Sequence, residues 1–150
     1  MKKILLTLFT TSLLTACGTT GAINAEKLNE PIPKDRSRLV IERTNSYLYS
    51  GGAAKLEIDG VEIARLGIGG SVVYDCQPGD RTLSVGTPFS AGKYKTTIKA
   101  VAGKQYEFEI SPRSSHLVTT SLFGVIGDAA TAGSSDKTGY FQINLKEPEK

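Results

Sequence analysis

An all-β chain, folded as an antiparallel β-sandwich of about 7–8 strands, is the architecture this sequence predicts, on three observations. Between residues 37 and 146 short runs alternate apolar and polar side chains, the period-two pattern of strands with one buried face. Gly, Pro and Asp interrupt these runs at short intervals, as turns require. A single apolar stretch, Leu117 to Gly133, carries helical spacing instead. A length of 150 residues, 39% hydrophobic and 22% charged, suits one globular domain.

The first strand is expected at about 38 to 43, with Leu39 and Ile41 inward. From Lys55 to Leu66 two alternating runs flank Asp59-Gly60, a dipeptide suited to a two-residue type I′ loop because both central residues need positive φ. That loop sets Ile58 against Val61 and Leu56 against Ile63, four apolar side chains on one face. Glu57 then opposes Glu62, which is mildly unfavourable unless Lys55 or Arg65 lies on the diagonal. Ser71 to Gly86 reads as a second hairpin around Gln77-Pro78-Gly79-Asp80, pairing Tyr74 with Leu83 and Val72 with Val85. Tyr94 to Ile110 reads as a third, turning at Ala102-Gly103-Lys104. A three-residue loop there opposes Ala100 to Tyr106, Ile98 to Phe108, Thr96 to Ile110 and Lys99 to Glu107.

A last strand at 140 to 145 turns Phe141, Ile143 and Leu145 inward. Leu122, Val125, Ile126, Ala129 and Ala130 follow the spacing of one helical face and predict one short helix or ordered loop near 121–132, with Ser121 and Gly133 as caps. Phe123 falls off that stripe and is therefore the candidate surface contact for a partner.

Residues 1–16 open with Lys2 and Lys3 and continue in an apolar run from Ile4 to Leu14. The run falls short of the ~20 residues that cross a hydrocarbon core as a helix, so it reads as a signal peptide. Its ending, Leu14-Thr15-Ala16-Cys17, resembles the lipobox of bacterial lipoproteins. That resemblance implies cleavage before Cys17, lipid on its sulfur, and a membrane as partner through that lipid. Gly18 after the cysteine implies, by the same resemblance, the periplasmic face of the outer membrane in a Gram-negative source. Residues 17–36 are small or polar, include Pro31 and Pro33, and read as the lipidated N-terminus and a flexible tether; 37–146 is the sandwich domain and 147–150 a C-terminal tail.

Of 18 Lys and Arg, Lys2 and Lys3 leave with the signal, so 16 face 15 Asp and Glu, a balance that argues against nucleic acid as a partner. With Cys17 used for lipid, Cys76 has no partner, and its spacing from Val72 and Tyr74 assigns it to the buried face.

Leu56 to Ala64, followed by Gln77-Pro78-Gly79-Asp80-Arg81-Thr82-Leu83-Ser84-Val85, resembles PEGA-type domains and a related family of uncharacterised bacterial lipoproteins with a DUF-type domain. The shared layout is strand, Asp-Gly, strand, Pro-Gly, strand, over about residues 56 to 110. Gly67-Ile68-Gly69-Gly70 departs from it, standing where those domains have Gly-x-x-Pro. The resemblance implies an extracytoplasmic β-sandwich and, by analogy, contact with a surface polysaccharide or cell wall.

Motifs of chemistry are sparse. His116 is the one histidine, and Ser114, Ser115 and Ser121 near it lack a Gly-x-Ser-x-Gly elbow, so it reads as a loop residue. One His and one spare Cys cannot supply a transition-metal ligand set, and no metal or cofactor is expected. Glu57, Glu62, Glu107 and Glu109 are assigned to solvated outer faces of strands. The chain therefore reads as no enzyme but a membrane-anchored lipoprotein with a binding or structural role, an accessory subunit of an envelope complex. The alternative is a glycan or cell-wall module using exposed, coplanar Tyr47, Tyr49 and Tyr94. A hydrolase and an inhibitor or immunity-type protein rank below both.

Overall fold

The structure is a computed structural model that describes residues 21–88, 92–113 and 137–146. Cys17 and the segment before it, His116, and the 121–132 element with Phe123 lie outside the described residues. Two sheets pack face to face as a β-sandwich, the predicted class. In chain order the strands are β1 (Ala22–Ile23), β2 (Ser37–Arg43), β3 (Ala54–Ile58), β4 (Val61–Leu66), β5 (Ser71–Cys76), β6 (Gly79–Gly86), β7 (Tyr94–Ala100), β8 (Gln105–Pro112) and β9 (Phe141–Leu145). One sheet runs β1-β5-β2-β8-β9 and the other β4-β3-β6-β7.

Leu39, Ile41, Leu56, Leu66, Val72, Leu83, Val85, Phe108, Ile110 and Phe141 form the shared core. Cys76 joins them, 5% exposed, and burial pushes its thiol pKa up, so it is a packing residue as its spacing from Val72 predicts. Leu145 departs from expectation: it ends an edge strand and stays 50% exposed.

The β3–β4 hairpin turns at Asp59-Gly60 with φ of 51° and 82°, as type I′ demands. Ile58 faces Val61 and Glu57 faces Glu62, but the register then shifts, so Leu56 meets Ala64 and not Ile63. A strict ladder would have carried Arg65 into the core and Leu66 out. The one-residue bulge reverses that and buries Leu66, leaving Val61 at the tip 63% exposed.

The other two predicted hairpins do not form. β5 pairs with β1 and β2, whereas β6 pairs with β3 and β7, so Gln77-Pro78 crosses between the sheets. Likewise β7 pairs with β6, and β8 with β2 and β9, so residues 101–104 are a second crossing. Tyr74 opposes Leu39, Leu83 opposes Ile58 and Thr96, and Lys99 opposes Asp80. The reason is geometric: alternation specifies which side chains point inward but not whether the opposing strand is a ladder neighbour or lies across the core. The second crossing is tied to β2, Gly103 N–H donating to Arg36 O (2.7 Å) and Ser37 Oγ to Val101 O (2.7 Å).

The stretch read as a tether is partly built into the domain. Ala22–Ile23 pairs in parallel with Ser71–Val72, and Ala25–Asn29 forms a 3-10 turn against β5. Arg38 explains the attachment. Its position on β2 faces away from the core, yet it is 1% exposed because this arm covers it. Nε and Nη2 donate to Asp75 (2.8 and 3.2 Å), and Nη1 donates to the carbonyls of Glu30 (2.8 Å) and Lys27. The guanidinium holds the Asp75 carboxyl below the usual carboxylate range.

Glu57 lies on the outer face as predicted, but it is not solvated: it is 6% exposed on a strand flanked by β4 and β6. Lys93 Nζ reaches its two oxygens at 2.8 and 2.6 Å, Lys55 Nζ lies 3.0 Å away, and Ser84 Oγ donates at 3.2 Å. Lys55 also bridges to Glu62 at 3.3 Å, which offsets the Glu57–Glu62 repulsion. The Lys93 hydrogen bond, against an opposing desolvation, pulls the Glu57 pKa down to about 2. A folded pKa below the unfolded one adds stability that is complete above about pH 5 and lost as pH falls towards 2. With Lys93 half-exposed and partly screened by water, that contribution is about 2 kcal/mol. Glu57→Gln should therefore flatten the fall in melting temperature between pH 5 and 2, measured by circular dichroism; an unchanged slope would exclude this carboxylate as a source of acid sensitivity.

Candidate functional site

Strand directions bring a defined set of connections to one end of the sandwich. β2 stops there at Arg43, β3 begins at Ala54, β4 ends at Leu66, β5 begins at Ser71, β6 ends at Gly86 and β7 begins at Tyr94. β8 ends there at Pro112 and β9 begins at Phe141. Gly92 and Gly139 bring two of these connections into backbone contact. A Cβ on Gly92 would sit 2.6 Å from Gly139 N, and one on Gly139 2.6 Å from Gly92 O, so only hydrogen fits at either position.

Arg43 organises this end from beneath. It continues the inward alternation of Leu39 and Ile41 and is 1% exposed. Its guanidinium donates to Gly52 O (2.7 Å), Leu66 O (2.8 Å) and Tyr49 O (3.0 Å) and lies 4.5 Å from the centroid of the Phe141 ring. Burial lowers its pKa, yet an arginine stays charged, and three carbonyl dipoles with an aromatic face hold that charge. The 44–53 connection is thereby pinned at two carbonyls. Within it Tyr49 takes a left-handed φ of 59°, a conformation held by its surroundings and not by preference.

Tyr49 packs on Tyr140 at 4.8 Å between centroids and 50° between planes, and on Phe141 at 6.0 Å and 80°. Tyr49, Gly51, Gly52, Thr87 and Tyr140 line a cleft of about 230 Å³. Thr87 Oγ1 is buried without a hydrogen-bond partner. Among the described residues the cleft offers two tyrosine rings with their hydroxyls, two glycine backbones and a threonine. At about 230 Å³ the cleft is large enough to seat a ring or the end of a chain.

The sequence-predicted site residues are distributed unevenly. Tyr47 is 86% exposed, but Tyr49 and Tyr94 pack against the core, so the three form no coplanar exposed surface. Among the described residues no group of three His, Cys, Asp or Glu could hold a metal ion, and no helix among them is long and apolar enough to cross a membrane. Arg43, Thr87 and Tyr140 were not singled out by sequence reasoning. Arg43 had a signal, its place two residues after Ile41 on an inward face. Thr87 and Tyr140 had none, because the cleft joins parts of the chain that meet only after both sheets pack.

No family model matches the chain, and no curated protein matches it. Among solved structures it is similar to an NMR structure of a protein from Eubacterium rectale, at 11% identity over 77% of this chain and 93% of that one, with a TM-score of 0.44.

Proposed function

We propose that this protein is a membrane-anchored envelope lipoprotein, held by lipid on Cys17, whose sandwich has a non-catalytic binding or structural role, at the outer membrane in a Gram-negative source. The observation that carries the reading is the order of a basic start, an apolar run and Leu14-Thr15-Ala16-Cys17. Two or three acyl chains, each burying ~0.8 kcal/mol per CH₂, anchor firmly where one would be marginal. The aromatic cleft supports a binding role, since it offers contact surface to a small group. A glycan module is the second reading; it draws its support from the Tyr49 and Tyr140 rings that line the cleft.

Labelling cells with a radioactive fatty acid tests the anchor. The wild-type chain should carry label and sediment with membranes, whereas Cys17→Ser should carry none and stay unprocessed. Label retained by the mutant would remove Cys17 as the attachment point.

A further inference from the structure

The attachment point and the cleft lie at the same end of the molecule. Gly21 O accepts from Ser71 N–H (3.2 Å), and Ala22 pairs with Ser71, so the docked arm begins where β5 begins. Only residues 18–20 separate Gly21 from Cys17. Even fully extended, that lead spans at most about 14 Å between the two Cα atoms. The headgroup layer beyond a bilayer's hydrocarbon core is itself ~5–8 Å deep. A strand of seven residues is about 23 Å long, so the opposite end, with Val101 in the β7–β8 crossing, stands a strand length further from the anchor.

The surface at the near end matches a lipid interface. Tyr47 is 86% exposed and Leu48 38%, adjacent on the 44–53 connection, and a tyrosine pairs an apolar ring with a wet hydroxyl as the headgroup region favours. Exposed apolar residues alone do not choose, since Val61, Val101 and Leu145 lie towards the far end. The short lead does.

We infer that the end of the sandwich bearing Tyr47, Leu48 and the aromatic cleft faces the bilayer and rests on its lipid headgroup layer. This rests on the lipid-anchor reading.

The test uses the full-length, lipidated protein in vesicles of phosphatidylethanolamine and phosphatidylglycerol. The chain has no tryptophan, so Tyr47→Trp and Val101→Trp each introduce a single emitter, both at exposed positions where folding should survive. In vesicles with brominated acyl chains, emission from position 47 should fall by about half or more, as for an interfacial aromatic, and emission from position 101 should hardly change. Equal quenching at both positions, or none at 47 while the protein floats with the vesicles, would overturn the orientation and leave the anchor intact. Failure of both variants to float would instead remove the anchor, and the orientation with it.

Discussion

Arg43→Ala is expected to lower the melting temperature by on the order of 15 °C, a loss as large as that of truncating a core aromatic. The side chain is 1% exposed, fills the end of the core beside Phe141, and satisfies carbonyls of Tyr49, Gly52 and Leu66. Truncation leaves a cavity and three acceptors without their donor, which together cost about 3–5 kcal/mol. Arg43→Met separates the contributions by restoring volume without donors, and should recover less than half of the loss. Arg43→Lys should fall between, because one ammonium cannot match a planar fork aimed at three carbonyls. Near-ultraviolet circular dichroism should also change, since Tyr49 and Tyr140 lose the connection that orients them. A fall of only a degree or two in Arg43→Ala would mean that the 44–53 connection holds its shape without this arginine.

Arg38→Ala carries the second large effect, and its signature is local as well as global. Breaking a buried ion pair by removing one partner typically costs about 3–5 kcal/mol. Asp75 keeps 14% side-chain exposure and the covering arm is one layer thick, so about 3 kcal/mol, or on the order of 10 °C, is expected. The arm loses its anchor at the Lys27 and Glu30 carbonyls, so trypsin should cut after Lys27 in the variant well before it attacks the sandwich. Replacing both partners, Arg38→Met with Asp75→Leu, should recover stability but not protease resistance. The paired charges offset their own desolvation, whereas the bonds to the arm's carbonyls come from the guanidinium alone. Equal protease resistance in wild type and Arg38→Ala would show that strand β1 suffices to hold the arm.

What the sequence determined by itself is local. Asp59-Gly60 permits little but a tight hairpin, because two successive positive φ values suit Gly and tolerate Asp. Leu39, Ile41, Val72, Cys76, Phe141 and Ile143 declared their inward face through period-two alternation, and an all-β sandwich followed from that pattern. Tertiary structure alone decided which strands became neighbours. Val72 and Val85 point into one core whether they are ladder partners or lie in opposite sheets, so alternation could not distinguish a hairpin at Gln77-Pro78 from a crossing. It also decided which charges are buried. Arg38 and Glu57 sit on outer faces, and only the docking of residues 22–30 over one and the approach of Lys93 to the other removes them from water. The cleft belongs to the same class, since Tyr49, Thr87 and Tyr140 come from three connections that meet only when long-range pairing closes the sandwich around Arg43.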